Sequence, residues 1–317
     1  MLIYYAADMH GSEQVWRKFI NAGKFYEADA LILGGDLTGK VLVPVVEEKS
    51  GRYVARVFGR LEKVKRPRDL EDLENSLRFN GFYPYRCSIE ENERLDGDPE
   101  YREQVMRDVM VETVRRWSAM ADARLDGTGL HLYAIPGNDD AFEIDEALTG
   151  EHISNVDNQV VRVGDYELLS SSWGNPSPWH TPREKEEDDL LEMFRGLADQ
   201  LDPERPAIFN LHVPPYDSGL DTGPEIKEVD KDGQVTVKKL GGQPSQVPVG
   251  SRAVRCIIEE RRPLVGLHSH IHESKNAVKI GPTLCMNPGS SYQDGVLDGA
   301  LVELSGNEIV RYQFVSG

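Results

Sequence analysis

The sequence is poor in cysteine, lacks a long apolar run, and carries fewer basic than acidic residues. Its three cysteines among 317 residues, Cys87, Cys256 and Cys285, are odd in number and widely spaced. We therefore expect small buried or incidental thiols and no disulfide framework. No segment approaches the ~20 consecutive apolar residues that cross a bilayer, so no membrane span is predicted. The first residues enter a strand-like run directly, which predicts a cytoplasmic protein without a cleavable signal.

The excess of acidic residues limits the partners that this surface can attract. Asp and Glu number 54 against 36 Lys and Arg, for a formal net charge of −18. Nucleic-acid polymers and anionic membranes reward a basic surface, so neither is expected as a partner. A small anionic substrate stays compatible with this charge, because bound divalent cations can locally invert the field of the carboxylates.

Short strand-like runs alternate with amphipathic helix candidates along the chain. The clearest runs are residues 2–7, 30–34, 130–135, 167–171, 207–211 and 264–267. Helix candidates open at Ser12 and Ser251, and another spans about 184–201. This alternation predicts a layered α/β fold. The final stretch, 299–315, predicts a hairpin at a sheet edge that turns at 305–307.

Two segments interrupt the alternation. Residues 40–128 predict a β-ribbon, with strands 41–46 and 52–58, followed by a long helix. The apolar stripe of that helix is Met106, Met110, Val114, Trp117, Ala121 and Leu125. Such a stripe is typical of packing against the parent domain, and a partner-binding groove is the alternative. Residues 219–249 predict a hairpin of 226–229 and 235–240, turning at Asp232-Gly233 over the mouth of the site. We therefore predict a single domain over 1–317, with insertion 40–128 as a candidate cap and a smaller hairpin insertion at 219–249.

Five short polar signatures each follow a strand-like run. They are Asp8-Met9-His10, Gly35-Asp36, Gly137-Asn138-Asp139, the segment around His212, and Ser269-His270-Ile271-His272. Because the carboxyl ends of parallel strands meet in one crevice of an α/β sheet, we expect these side chains to converge. Carboxylate, amide and imidazole groups are ligands for divalent metals. An isolated Asp-x-His or His-x-His pair is more often a solvated turn or core packing; the combination of all five predicts a two-metal site.

The order of the signatures resembles the calcineurin-like metallophosphoesterase superfamily, whose blocks run Asp-x-His, Gly-Asp, Gly-Asn-His, His and Gly-His-x-His. Stretches 175–184 and 287–290 are similar to its Icc-related branch, named for a cyclic-AMP phosphodiesterase. The resemblance covers residues 8 to about 289 outside the two insertions, and it implies a four-layered α/β/β/α sandwich. It also implies one metal on Asp8, His10 and His272, a second on Asn138, His212 and His270, and Asp36 bridging both.

The activity implied by the resemblance is that of a metal-dependent phosphoric ester hydrolase. The leading expectation is a phosphodiesterase that cleaves a small phosphate ester through a hydroxide bridging two divalent metal ions. Mixed nitrogen and oxygen ligands suit manganese, iron, zinc, cobalt or nickel. A phosphomonoesterase or nucleotidase is the alternative, and a noncatalytic scaffold with the same fold is a third interpretation.

The sequence departs from the family pattern at Asp139, where the family has histidine, and at Ser269, where it has glycine. Asn138 and Asp139 are the predicted catalytic positions. Asp139 can donate a proton only if its pKa rises well above ~3.9, and two cations oppose that rise. We therefore expect a preference for diesters with good leaving groups, or an acid supplied from elsewhere. Arg183 is a candidate substrate contact through its bidentate fork, and a surface arginine beginning a helix is the alternative.

Overall fold

Two six-stranded sheets form the centre of the molecule in the computed structural model, which describes residues 1–230 and 235–317. The strands are β1 (Leu2–Ala6), β2 (Ala30–Leu33), β3 (Val41–Glu47), β4 (Tyr53–Val57), β5 (Arg60–Val64), β6 (Phe82–Cys87), β7 (Leu132–Ala134), β8 (Ile153–Asn155), β9 (Gln159–Val163), β10 (Tyr166–Ser171), β11 (Ala207–Leu211), β12 (Thr222–Pro224), β13 (Ile226–Val229), β14 (Val235–Val237), β15 (Lys239–Leu240), β16 (Gln243–Pro244), β17 (Gln246–Pro248), β18 (Val265–Leu267), β19 (Asn276–Ile280), β20 (Thr283–Asn287), β21 (Asp298–Ser305) and β22 (Glu308–Ser316). The helices are α1 (Glu13–Phe25), α2 (Pro67–Phe79), α3 (Ile89–Gly97), α4 (Pro99–Leu125), α5 (Glu187–Ala198) and α6 (Arg252–Arg261). Short 3₁₀ helices span Phe142–Ala147 and Tyr292–Asp294.

Each large sheet has a parallel centre and antiparallel edges. The first sheet runs β22-β21-β1-β2-β7-β8, and β1, β2, β7 and β8 pair in parallel. The second runs β19-β20-β18-β11-β10-β9, with β10, β11, β18 and β20 in parallel. Strands such as β2 are buried throughout, as apolar runs covered on both faces should be. The parallel centres place the polar signatures at the carboxyl ends of their strands.

Three buried apolar clusters define the layers. One cluster fills the space between the two sheets, including Ile32, Leu168 and Leu267. A second joins the outer face of the first sheet to α1 and α4, and a third joins the second sheet to α5 and α6. The order is therefore helix, sheet, sheet, helix. This confirms the predicted four-layered α/β/β/α sandwich.

The predicted helix starts at Ser12 and Ser251 are correct, because both side chains cap the helices that follow. The Ser12 hydroxyl accepts a hydrogen bond from the Val15 amide, and the Ser251 hydroxyl accepts one from the Val254 amide. The long helix α4 packs its stripe against the first layer, where Trp117 stacks on Trp16 of α1 with ring centroids 5.0 Å apart. The stripe is therefore used in packing within the chain, as its spacing predicted.

The first insertion contains more structure than the sequence revealed. The ribbon β3–β4 is present, but it belongs to a four-stranded sheet in the order β5-β4-β3-β6, with α2 against one face. Strand β6 pairs in parallel with β3. The insertion contacts the loop after β1, where the Ser12 hydroxyl donates to the Phe79 carbonyl at 3.0 Å. The domain boundaries and the cap role of this segment stay predictions.

The second insertion and the C-terminal hairpin follow the predicted strands with one difference. Strands β13 and β14 pair, while the predicted turn at Asp232-Gly233 lies outside the described residues. The predicted strand 235–240 is wrong in its second half, because β15 leaves β14 and pairs with β16. The C-terminal hairpin forms as expected, with β22 at the sheet edge. Among the described residues, no helix is long and apolar enough to cross a bilayer.

Candidate metal centre

The loops that follow the central strands of both sheets are joined by backbone hydrogen bonds. The Asp8 amide donates to the Gly35 carbonyl at 2.9 Å, and the His10 amide donates to the Asp36 carbonyl at 2.9 Å. In the other sheet the Ser269 amide donates to the His212 carbonyl at 2.9 Å. The strand ladders therefore continue into the loops, which fixes the direction in which each signature points.

The first group of convergent side chains, which we name the outer triad, consists of Asp8, His10 and His272. One ligand atom from each lies within 4.8 Å of the others. The Nε2 atoms of His10 and His272 are 3.1 Å apart, and His272 Nε2 is 3.9 Å from Asp8 Oδ2. The two imidazoles are partly open, with 13% and 29% of their side chains exposed. Both rings contact Tyr292, at centroid distances of 4.6 and 5.8 Å.

The second group, the inner triad, consists of Asp36, His212 and His270. Its ligand atoms also lie within 4.8 Å of one another. His212 is completely buried, and its Nε2 lies 3.4 Å from Asp36 Oδ1 and 2.9 Å from Asn138 Oδ1. Asn138 therefore adds an amide oxygen to this group. The two triads together with Asn138 are called the cradle below.

Asp36 lies between the two triads. Its Oδ1 faces His212 of the inner triad, while its Oδ2 is 3.7 Å from His10 Nε2 of the outer triad. The backbone amide of His270 makes a second link, because it donates to both Asp8 carboxylate oxygens at 3.3 and 3.4 Å. One carboxylate can thus reach both groups of ligands with different oxygens, which is the geometry that a bridging ligand needs.

The tautomer of His212 is set by its surroundings. Its Nδ1 lies 2.7 Å from the Gly34 carbonyl, which can only accept, so Nδ1 carries the proton. The hydroxyl of Ser269 is also 2.9 Å from Nδ1. A protonated Nδ1 leaves Nε2 as the atom that can bind a cation, as in other histidine ligands oriented by a backbone carbonyl. The serine that replaces the family glycine therefore supports a ligand.

The electrostatics of the metal-free cradle leave two of its imidazoles neutral and keep an extra proton on a third. Burial lowers the pKa of His270 to about 3 and also lowers the pKa of His10, so both imidazoles are neutral. Burial alone would lower the pKa of His212, but the charges of Asp36 and Asp8 raise it to about 9. Burial would conversely raise the pKa of Asp36, but His212 and then His10 hold it well below its ordinary value. Without metal, the inner triad thus contains a buried Asp36–His212 ion pair, and a cation can take the place of its proton.

The backbone at the cradle is locally strained. Asp8, His10, Asp36 and His270 all have positive φ, between 42° and 69°. This left-handed conformation is uncommon for residues other than glycine and is frequent at functional sites. Close approach adds to the constraint at Gly137, where a Cβ atom would lie 1.8 Å from Asp36 Oδ1.

Divalent metals fit this donor set. The cradle offers nitrogen and oxygen donors only, from neutral imidazoles, carboxylates and one amide, which is the chemistry of borderline divalent cations. The Nε2 atoms of His10 and His272 face each other, so both can coordinate the same cation. The carboxylates of Asp8 and Asp36 are both buried, and neither has a Lys or Arg partner among the described residues. Buried carboxylates in such a setting are commonly balanced by a metal.

Asp140 is a buried residue of the centre whose role the sequence did not reveal. Its carboxylate accepts hydrogen bonds from the amides of Leu37 and Gly137, at 2.9 and 2.8 Å, and from the Thr38 amide at 2.8 Å. It therefore ties the loop after β2 to the loop after β7, and so brings Asp36 to Asn138. The only available signal was its position beside the Gly137-Asn138-Asp139 signature.

Lys40 is the second residue that sequence reasoning missed. Its ammonium donates to the Asp139 carbonyl at 2.6 Å and lies 2.9 Å from Asp139 Oδ1. The Asp139 amide in turn is 3.4 Å from Asp36 Oδ1. Burial and the charge of Asp36 raise the pKa of Asp139, Lys40 lowers it, and the balance is about 6. A cation thus stands beside the position where the family pattern has histidine.

Arg183 and His268 lie outside the cradle. The expectation of a substrate contact at Arg183 is corrected, since its side chain is 2% exposed and its guanidinium pairs with Asp145 at 2.6 Å. The ring of Phe142 covers the guanidinium at 4.4 Å. His268 is buried in the core with Nδ1 2.9 Å from the Leu211 carbonyl, in agreement with the core interpretation.

The comparisons with known proteins support the fold. No family model matches the chain. An uncharacterized protein of Methanocaldococcus jannaschii, MJ1162, is 26% identical over 180 residues, which cover 56% of this chain and 70% of that protein. The crystal structure of TT1561 of Thermus thermophilus aligns with 100% of this chain and 97% of its own, with a TM-score of 0.53 and 14% identity.

A solved structure named as a novel archaeal phosphodiesterase also aligns over the full chain, covering 99% of its own length with 12% identity. Its TM-score of 0.40 is too low to bear on the present chain. The likeness to TT1561 concerns the fold alone, given its low identity. The chain therefore has a four-layered α/β/β/α sandwich fold, as the family resemblance implied.

Proposed function

We propose that this protein is a divalent-metal-dependent phosphoesterase that hydrolyses phosphodiesters. The observation that carries the proposal is the position of Asp36, whose two carboxylate oxygens face the outer and inner triads separately. Two clusters of three ligands that share one carboxylate match the requirement for two cations ~3.5–4 Å apart on one phosphate. A structural metal site would not need two adjacent clusters with an open side.

The proposed assignment of ligands follows the two triads. Asp8, His10 and His272 hold one cation, His212, His270 and Asn138 hold the other, and Asp36 contacts both. When bound, the cations supply positive charge to the phosphate oxygens and lower the pKa of water at the site. The protein residues contribute orientation: the Gly34 carbonyl fixes His212, and Asp140 holds Asp36 against Asn138.

The reaction is hydrolysis at phosphorus. A water oxygen forms a new bond to phosphorus, the bond to the leaving oxygen breaks, and that oxygen receives a proton equivalent to the one that the water loses. Asp139 stands where the family pattern has a histidine, and the cations and Lys40 both favour its ionised form. A weak supply of protons to the leaving oxygen favours esters whose leaving groups are stable as anions.

Lys40 provides the positive charge that the absent histidine would have provided. Its side chain is about half exposed, so it can reach a substrate, and it is held by Asp139, whose amide lies 3.4 Å from Asp36 Oδ1. A fixed ammonium can stabilise charge on a leaving oxygen or on a phosphate oxygen without transferring a proton. In this proposal Asp139 positions Lys40.

The test is an assay of bis(4-nitrophenyl) phosphate and 4-nitrophenyl phosphate with the purified protein. The protein is first stripped with a chelator and then reloaded separately with manganese, zinc, cobalt, nickel or ferrous iron. We expect no hydrolysis after stripping, recovery with at least one metal, and a higher kcat/KM for the diester. Faster hydrolysis of the monoester would favour a phosphomonoesterase. Inactivity with every metal, despite metal binding, would overturn the enzymatic proposal.

A second assay tests the dependence on the leaving group. Aryl and alkyl phosphodiesters are compared with the same metal, after correction for their uncatalysed rates. We expect the aryl esters to be hydrolysed much faster. Equal rates on both would show that an efficient acid is present and would remove the argument from Asp139.

A further inference from the structure

A cavity of about 810 Å³ opens directly beside the cradle. His270 and His272 form part of its wall, together with Ile271 between them. The loop of residues 175–179 forms a second wall, and the strands β12 and β17 of the second insertion contribute the third. The cavity is therefore continuous with the cradle, and a molecule bound at the ligands would extend into it.

The cavity is much larger than a phosphate group needs. A phosphate occupies roughly two to three times the ~30 Å³ share of one water molecule. The cavity volume lies instead in the range of about 300–1,000 Å³ that is typical of sites for small organic molecules. The space is therefore matched to an organic substituent of an ester.

The walls are aromatic and apolar. Trp179 is 48% exposed although it is a large apolar side chain, and it lines the cavity. Other apolar lining residues come from all three walls, among them Pro176, Pro178, Pro224, Val247, Pro248 and Ile271. The prolines make these walls stiff, since each fixes its own φ. A rigid wall with an open indole face is suited to stacking with a flat ring.

Three charged side chains of the walls contact other parts of the protein, and Glu273 adds an exposed carboxylate. Glu187 accepts hydrogen bonds from the Ser251 hydroxyl and the Ala253 amide, which fixes it at the start of α6. Glu225 pairs with Lys238 at 2.8 Å. The guanidinium of Arg252 lies over the ring of Tyr216 at 5.0 Å. The cavity therefore lacks the basic track that would favour a polyanionic substituent.

We propose that this cavity binds an uncharged, planar aromatic group on the ester, stacked on Trp179, while the phosphate occupies the cradle. The inference rests on the proposed function and specifies its substrate class: phosphodiesters in which the retained alcohol carries an aromatic ring. Such a ring could belong to a nucleoside base or to an aryl ester. The shared chemistry is a flat apolar face of a size that fits the cavity volume of about 810 Å³.

The hydrolytic test uses diesters with the same 4-nitrophenol leaving group and different retained groups. Methyl, phenyl and thymidine-5′ esters of 4-nitrophenyl phosphate are compared with the metal-reloaded protein. We expect kcat/KM to be about tenfold higher, or more, for the phenyl or thymidine ester than for the methyl ester, mainly through KM. A preference for thymidine alone would identify the ring as a base, and a preference for both would identify a general aromatic site. No preference for either ring would overturn the inference.

Trp179→Ala separates the cavity from the chemistry. In this variant we expect kcat/KM for the phenyl and thymidine esters to fall toward that for the methyl ester, with the metal content unchanged. Phe58→Ala is the matched control, because Phe58 is an exposed aromatic residue in the first insertion, away from the cavity wall. It should keep the full preference. An unaltered preference in Trp179→Ala would exclude stacking on this residue.

A binding measurement distinguishes failure of the inference from failure of the proposed function. Phenylphosphonate and methylphosphonate, which contain no ester bond, are titrated calorimetrically into the metal-loaded protein. We expect phenylphosphonate to bind about tenfold more tightly, and the difference to disappear in Trp179→Ala. If no ester is hydrolysed but this difference is found, the aromatic site stands and the proposed activity fails. If esters are hydrolysed and the phosphonates bind equally, the aromatic site fails and the activity stands.

Discussion

The inner and outer triads contain the same kinds of ligand but differ in how firmly the protein holds them. His212 of the inner triad is buried, and its Nδ1 is hydrogen bonded to the Gly34 carbonyl. His10 and His272 of the outer triad are partly exposed, and within the described residues neither ring is hydrogen bonded to a backbone carbonyl. They are oriented by contact with Tyr292 instead.

This difference indicates a division of tasks between the two positions. Ligands that are oriented in advance bind a cation with little loss of conformational freedom and exclude water, so the inner position should be the tighter one. Both positions border the cavity, since His270 and His272 line it, and the outer position has two partly exposed imidazoles. Under the proposed function, a cation at the outer position would exchange more readily and would meet the substrate. The comparison can be tested with variants of Asp36, which lies between the two triads, and then with variants of residues that belong to one triad or the other.

The largest effect is expected from Asp36→Asn, which removes the feature common to both triads. The variant should lose metal at both positions. Activity should fall by about a thousandfold, which is the upper end of the range for removing one group that stabilises the transition state electrostatically. Elemental analysis after gel filtration measures the occupancy. Loss of only one equivalent would show that Asp36 does not bridge.

The second test compares His212→Ala with His272→Ala. Each should remove about one equivalent of metal, but only His212→Ala should also reduce the thermal stability of the metal-free protein. The reason is that His212 is buried and paired with Asp36, so its loss leaves an unpaired carboxylate and a cavity. Calorimetry of both stripped variants measures the difference, expected to be several degrees in Tm. Equal Tm values would contradict the assignment of the inner triad as the firmer one.

Lys40→Gln should leave both triads intact and affect the reaction alone. We expect unchanged metal content and a loss of about tenfold in kcat/KM, greater for alkyl than for aryl diesters, because the lost charge matters most for poor leaving groups. Lys24→Gln is the matched control, since Lys24 is an exposed lysine at the end of α1. A loss of metal in Lys40→Gln would mean that this residue supports the cradle and not the substrate.

Chelation kinetics provide a direct comparison of the two positions in the unaltered protein. Metal should leave in two phases whose rates differ by about tenfold. The faster phase should come from the outer triad, because its ligands are more exposed. The assignment is checked with His272→Ala, which should lack the fast phase. A single phase would contradict the difference between the two positions. Loss of the slow phase in that variant would show that the outer triad holds its metal more tightly.

The smallest effect is expected from Ser269→Gly, which restores the family residue. It removes the hydroxyl near His212 Nδ1 but leaves the Gly34 carbonyl in place. Metal affinity at the inner triad should fall by less than about tenfold, which is below the usual effect of losing a residue that orients a metal ligand. Metal affinity at the outer triad should be unaffected. A competitive titration with a metal indicator resolves this change. An equal change at both positions would mean that the serine acts through the whole loop.

The cradle was readable from the sequence because each of its residues directly follows a strand-like run. Strand order and the parallel arrangement then bring Asp8, Asp36, Asn138 and His212 to the same edges, so local patterns were enough. The capping serines were readable for the same local reason. The alternation of strands and helices predicted a layered α/β fold, and the family resemblance implied that the layers number four.

Other features depend on contacts between distant parts of the chain. Lys40 meets Asp139 across 99 residues, and Arg183 is buried by Asp145 and Phe142 from another loop. The parallel pairing of β6 with β3 also depends on tertiary packing. No local pattern at Arg183 distinguishes a surface arginine from a buried one.

The left-handed backbone at Asp8, His10, Asp36 and His270 limits how the centre could be redesigned. At these four positions a replacement must both donate to a cation and tolerate positive φ, and aspartate, asparagine and histidine are the residue types that commonly do so. Cysteine and glutamate are good donors but lack that tolerance. A thiolate intended to shift metal preference toward zinc therefore belongs at His212 or His272, whose backbones are free of this restriction.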